Sequence, residues 1–277
     1  MIRVRTYGPV TQFRMARVAF GRPLYWVCAF HVDGLVIDTG CAHTAAEFAA
    51  ALDGYAVRQV VNTHHHEDHV GGNAAVGARA GLRARIHPLG IERLRHPDPH
   101  LPIYRRVVWG TPPPCDPEPL GGELTTDRYA FRVIHAPGHS PDQVVLFEER
   151  TGWLFAADLY LGERVKYLRR DEHLGESLAS LRHVAALPVR RLFCSLGAVI
   201  DDGQRALAAK LAYWEGLCAR VWQLAAAGRS PSQIRREVLG REGLLRWVSG
   251  GDFAKQHLVN EALRLAGHRP PADQGTA

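Results

Sequence analysis

The chain has 277 residues, 46% of them hydrophobic and 22% charged, and 34 basic against 28 acidic side chains leave a net charge of +6. This composition suits a globular protein with a sizeable core, as one large domain or a domain with a small appendage; the mild basicity permits anionic substrates or nucleic acid without requiring either. Five scattered cysteines without a CxxC pair argue against a disulfide framework, and there is neither an apolar core in "MIRVRTYGPV" nor any run near the roughly 20 residues of a membrane span, so a cytoplasmic protein with no membrane partner is expected.

In chain order, "PLYWVCAFHV" and "GLVIDTG" read as strands joined by a turn at Asp33-Gly34. "AHTAAEFAAALDG" reads as a helix with a glycine stop, and "AVRQVVNT" as a short buried strand running directly into "HHHEDH". That cluster is therefore expected in a loop at a strand's C-terminal end, with "VGGNAAVGARAG" starting a helix. "HPDPHLPIYRRVVWGTPPPCDPEP" is loaded with proline, which opposes helix and central strand alike; a long irregular excursion is predicted, of the kind that forms lids. "YAFRVIHAPG", "QVVLFEE" and "GWLFAADLYL" are strand-like, "GESLASLRHVAAL" is helical, and "VRRLFCSLGAVI" is a last strand with its exit loop. From about residue 203 the pattern is helical throughout. "SPSQIRREVLG" has Ser230 as N-cap and Pro231 at the first helical position. "GDFAKQHLVNEALRLAG" has Asp252 as its expected cap, and the tail "HRPPADQGTA" is polar and expected to be loose. The division that follows is a catalytic domain over 1–203 and a helical extension over 204–277.

The densest chemistry is the run His64–His69, four histidines and two carboxylates. His64, His66, Asp68 and His69 fit the pattern H-x-H-x-D-H. "APGHS" adds His139 and "FAADLY" adds Asp158, each just beyond a strand. Imidazole and carboxylate suit zinc and iron, and loops at strand ends let ligands from distant sequence converge. A surface histidine tract is the plain alternative for such a run, but the downstream pieces stand in matching order. His65 is expected to point away, and Glu67 has no assigned role.

On "THHHEDH" after a strand, "APGHSPDQVVLF", "GWLFAADLYL" and the upstream "LVIDTG", the chain resembles the metallo-β-lactamase superfamily over roughly residues 2–205. The resemblance implies an α+β fold, a four-layer αβ/βα sandwich with metals in a groove at one edge, here with a small helical, winged-helix-like C-terminal extension. It implies a first metal site of His64, His66 and His139, a second of Asp68 and His69, and Asp158 bridging them. It also exposes a departure: the family's last ligand histidine is replaced, in "CSLGAVIDDG", by Leu196. Water can fill that place and leave a weak second metal, the protein can work with one metal, or the site is degraded. Cys194 could substitute as a thiolate, though a small buried core cysteine is the simpler reading.

A zinc ion, or two, would supply hydroxide at neutral pH, with Asp68 orienting the water or accepting its proton. A hydrolase of a small ester, lactone or thioester is expected, acting on a small-molecule substrate; a homodimer stays open. The alternatives are a mononuclear Fe²⁺ dioxygenase of the persulfide type, a metal-dependent ribonuclease, and a non-catalytic protein with a vestigial site. The ribonuclease reading draws on Arg235, Arg236, Arg241, Arg246 and Lys255, which are expected to be a solvated helix face, so nucleic acid is not the expected partner. Tyr160, two residues after Asp158, is the candidate to polarise a carbonyl, with Lys166 and Tyr167 as substrate-binding candidates. Tyr104, Arg105, Arg106 and Trp109 of the excursion are expected to wall the pocket. Asp38 of "DTG" is expected to be a hydrogen-bonding turn rather than a ligand.

Overall fold

The runs Val27–Val32 and Val144–Glu148 are buried at every position, because each has a partner layer on both faces. The computed structural model describes residues 1–267; the polar tail lies outside them. One sheet has the order β1 (Ile2–Tyr7), β2 (Val10–Met15), β3 (Val27–Val32), β4 (Leu35–Ile37), β5 (Gln59–Val61), β6 (Ala84–Ile86), β7 (Glu118–Pro119). Its first four strands pair antiparallel and β4 to β7 pair parallel. The other has the order β8 (Glu123–Thr125), β9 (Ala130–His135), β10 (Val144–Glu148), β11 (Trp153–Phe155), β12 (Arg191–Phe193), β13 (Val199–Ile200). It is antiparallel except between β11 and β12. The helices are α1 (Ala45–Ala51), α2 (Glu67–Val70), α3 (Asn73–Ala80), α4 (Ile91–Arg95), α5 (Ile103–Val108), α6 (Leu174–Ala185), α7 (Gly203–Ala226), α8 (Pro231–Val238), α9 (Leu244–Val248) and α10 (Lys255–Ala266).

Successive side chains of a strand point to opposite faces, and this sorts the core into layers. Cys28, Phe30, Ile37 and Val61 of the first sheet meet Val144, Leu146, Phe155 and Phe193 of the second. Phe155 stacks on Phe193 at 4.7 Å, and Phe30 stands edge-on to both; each such buried ring contributes about 1.5–3 kcal/mol. The alternate residues Val27, Ala29 and Val36 turn outward to Phe48 of α1 and Val76 of α3. On the far side, Val145 and Phe147 meet Leu178 and Leu181 of α6, Leu207 and Val221 of α7, and Leu258 of α10. The result is an α+β four-layer sandwich whose helical C-terminal region shares the outer core of the second sheet.

The hairpin turn at Asp33-Gly34 forms as the sequence suggests, both residues having positive φ, and Ser230 makes a full capping box with Gln233. Four features differ from the sequence reading. Ile2–Met15 forms the hairpin β1–β2, which the sequence pattern does not signal. The histidine cluster is not all loop, since Glu67–Val70 makes a helical turn. The proline-rich excursion contains α5, because its prolines fall outside those six residues; Pro102 is the N-cap. Asp252 does not cap α10, whose N-cap is Ala254. Asp252 instead accepts a 2.6 Å bond from the Tyr104 hydroxyl, and Phe253–Ala254 pairs with Leu168–Arg169. Among the described residues no helix is long and apolar enough to cross a membrane.

A lysine also lies inside this packing. Lys210 of α7 is 1% exposed. Its Nζ donates to Leu159 O at 2.5 Å and sits 4.3 Å from the Trp214 ring centroid. Burial pulls its pKa down from 10.5 to about 8. The unfolded chain therefore binds this proton more tightly than the folded one, and the folded state is penalised below pH 8 and relieved as pH rises towards 10.5. Lys210→Met is expected to gain stability over wild type at pH 7, with that gain shrinking by pH 10; urea denaturation at the two pH values measures it.

Candidate metal centre

The ligand candidates lie just past the C-terminal ends of strands at one edge of the sandwich. His64 and His66 follow β5, His139 follows β9, and Asp158 follows β11 on a 3-10 turn, Ala157–Leu159. Asp68 and His69 lie on α2. Gly138, at φ 125°, lets the loop carrying His139 press against α6; a Cβ there would stand 2.3 Å from Ser177 N.

The imidazoles of His64, His66 and His139 stand nearly edge-on, with centroids 4.4 to 5.0 Å apart. His66 Nδ1 is 3.0 Å from His139 Nε2, and His64 Nε2 is buried without a hydrogen-bond partner. A second group joins His64, His69 and Asp158, and in each group one ligand atom per residue falls within 4.8 Å of the others. Asp158 reaches both groups: Oδ1 is 3.3 Å from His69 Nε2 and Oδ2 is 3.2 Å from His139 Nε2. Asp68 Oδ2 is 3.8 Å from His69 Nε2. Converging nitrogen lone pairs, an orphaned buried Nε2 and a carboxylate spanning the gap make a donor set that fits a metal ion of the zinc or iron kind.

Outer partners hold the rings. His69 Nδ1 donates to Asp38 at 2.8 Å and His139 Nδ1 donates to Glu172 at 2.8 Å, which turns each Nε2 towards Asp158. His64 Nδ1 meets Thr63 Oγ1 at 3.1 Å. His66 differs: its Nε2 is 2.6 Å from Arg169 Nη2, and a guanidinium can only donate. In this arrangement Nε2 accepts and Nδ1 carries the proton, so a metal on Nδ1 requires that contact to rearrange.

The electrostatics follow from burial and neighbours. Burial pushes His64 and His66 well below the ordinary histidine range, helped at His64 by His69 and at His66 by Arg169; both stay neutral and able to ligate. Burial also works against a charged His69, but Asp38, Asp68 and Asp158 outweigh it and raise its pKa well above the ordinary value. Asp158 is pushed up by burial and pulled far below its usual value by His139 and His69. Asp68 is raised to about 6 by burial, with Asp158 and Glu67 adding to the effect.

The model of the metallo-beta-lactamase superfamily matches residues 32–195, a stretch containing every one of these side chains. The chain belongs to that superfamily. It is 33% identical over 147 residues to the beta-lactamase-like protein 2 homolog of Drosophila melanogaster, covering 52% of this chain and 46% of that protein. It is 30% identical over 161 residues to a hydroxyacylglutathione hydrolase of Rhodospirillum rubrum, covering 57% of this chain and 55% of that protein. The chain thus spans about half the length of these curated relatives. A beta-lactamase domain protein of Burkholderia ambifaria shares the fold, with a TM-score of 0.71 at 20% identity over 99% of this chain and 91% of that one.

Against the superfamily pattern, the structure brings His64, His66, Asp68, His69, His139 and Asp158 together, and turns His65 away to bond Asp142 at 2.7 Å. Leu196 lines a cavity of about 370 Å³ together with His66, Asp68, His139 and Asp158. Cys194 is buried in the core, accepts a bond from Leu196 N and has its pKa raised to about 11 by burial, so it is held as a thiol. Tyr160 is 3% exposed and packs in the core instead of lining that cavity; the turn at Asp158 rotates it inward. Tyr25 and Trp109 are on the cavity wall, with Lys166 and Tyr167. Glu67 holds Arg105 of α5 through both carboxylate oxygens. Glu172, Arg169 and Tyr25 were missed in the sequence; none lies in a motif, and only the fold brings them to the histidines.

Asp38 has φ 61°, which asparagine also tolerates, so Asp38→Asn tests the outer partner without straining the turn. Metal affinity of the site containing His69 is expected to fall roughly 10–100-fold, read by chelator competition. His66→Ala is expected to remove most bound metal, read by elemental analysis.

Proposed function

We propose that this chain is a metal-dependent hydrolase acting on a small ester, lactone or thioester. The observation that carries the reading is the pair of ligand groups that share His64 and are spanned by Asp158, beside a cavity whose walls include Tyr25, Trp109, Leu161, Leu196, Trp214 and Phe253. Likeness to a protein named as a hydroxyacylglutathione hydrolase favours thioesters within that set. His64, His66 and His139 would hold the first ion, and Asp68, His69 and Asp158 the second, weakened by Leu196. Zinc is the proposed ion; when bound, it lowers the pKa of a water ligand to about 7 and polarises the carbonyl.

The chain's own residues do the rest. Asp68, on the cavity wall with His66, His139 and Asp158, orients the attacking water and takes its proton. The apolar walls exclude bulk water and take up the acyl part. Arg164 and Lys166, exposed at the rim and without a carboxylate partner among the described residues, suit an anionic part of the substrate. The unpaired cysteines fit a cytoplasmic setting. A ribonuclease reading loses support because Arg235 bonds Gly240 O and Lys255 bonds Leu239 O and Arg241 O, which spends those cations within the extension. Leu196 keeps a second reading, a mononuclear iron oxygenase, in view.

Elemental analysis of purified protein together with a hydrolase panel decides between them. Zinc with ester, lactone or thioester turnover is the expected result; one iron per chain with oxygen consumption on persulfides would overturn it. Leu196→His is expected to raise occupancy of the second site, measured as metal bound per chain at limiting zinc.

A further inference from the structure

The hydrolytic reading leaves one charge without a protein partner. When water adds to a carbonyl carbon, the π pair moves onto the carbonyl oxygen, and that oxyanion needs a donor until the leaving group departs. The residue proposed for this from sequence, Tyr160, is packed in the core. With Leu196 in the last ligand's place, the second ion is also a weak candidate.

We propose that Tyr25 is the oxyanion donor, its hydroxyl hydrogen-bonding to the carbonyl oxygen as negative charge develops there. This assignment rests on the hydrolase reading. Tyr25 stands on the same cavity wall system as His66, Asp68, His139 and Asp158. It is carried by the segment between the short pair Val18–Ala19/Arg22–Pro23 and β3, whose Leu24 N bonds Arg17 O at 2.9 Å. Trp109 holds the ring edge-on, centroids 5.6 Å apart and planes at 89°. Trp109 is itself placed beside Tyr104, which Asp252 fixes. These contacts hold the ring on the cavity wall before substrate arrives, and a donor placed in advance is what makes such a group effective. The residue is 42% exposed, as a wall of an open cavity must be. A phenol hydroxyl is a hydrogen-bond donor, and here it acts by donating to the oxyanion without transferring its proton.

Tyr25→Phe is the direct test, with three readouts: metal content, kcat and KM on the best ester or thioester of the panel, and calorimetric affinity for a phosphonate that copies the tetrahedral state. The expected result is a kcat lower by roughly 10²–10³-fold, unchanged metal content, little change in KM, and phosphonate affinity weakened in step with kcat/KM. A Tyr25→Phe enzyme with kcat within about threefold of wild type overturns the assignment, as does equal phosphonate affinity in the two proteins. Loss of metal in Tyr25→Phe also overturns it, because the residue would then be structural. Wild-type protein that holds metal but hydrolyses nothing defeats the hydrolase reading instead, and absence of phosphonate binding to it defeats both. Trp109→Phe, which keeps an aromatic support, is expected to lower kcat less than Tyr25→Phe.

Discussion

The buried carboxylate of Asp38 is the tie on which the candidate metal centre depends. It accepts from Thr63 N at 2.8 Å, from the Thr63 hydroxyl and from His69 Nδ1. One residue at the end of β4 thereby fixes both the start of the histidine loop and the ring of its last histidine. A carboxylate this deep is tolerated only because hydrogen bonds satisfy it. The same junction is closed sterically and by amides. A Cβ on Gly72 would stand 2.4 Å from Thr39 O, and Asn62 and Asn73, at the two ends of the loop, bond each other reciprocally. The loop from Asn62 to Asn73 is thus a clamped unit, which holds the buried rings of His64, His66 and His69 in place.

The sandwich supplies one edge with the ligands; other parts supply the cavity. The C-terminal region contributes α7, from which Lys210 and Trp214 bond Leu159 O and Val165 O. These are the two ends of the segment that follows Asp158, so the long helix sets the shape of that wall. The excursion contributes α5, tied to the histidine loop through Arg105 and Glu67, and to the extension through Tyr104 and Asp252. Leu196 joins Trp214 and Leu161 in an apolar face that runs up to the ligands. Leu196, which the sequence reading sets in the place of the pattern's last ligand, is thus on the cavity wall.

The six ligand candidates and the sandwich were legible from the chain because their signals are local. H-x-H-x-D-H follows a strand, two further strand ends carry His139 and Asp158, and strands covered on both sides read as unbroken apolar runs. The helix within the proline-rich excursion was not legible, since proline density was averaged over the whole segment while α5 occupies the gap between prolines. Asp252 fitted a cap by position, but a tertiary partner, the Tyr104 hydroxyl, took its carboxylate.

By itself, the sequence determined residue type and order: which side chains can ligate, which strand each follows, and that leucine stands at 196. Only the tertiary structure decided what each of these faces. It gave His69 the carboxylate of Asp38 and His139 that of Glu172, set Arg169 against His66, buried Tyr160 and brought Tyr25 to the cavity. The physical reason is that a ligand's identity is a local covalent fact. Its orientation, charge state and partner depend on desolvation and hydrogen bonds across the layers, from residues tens of positions away.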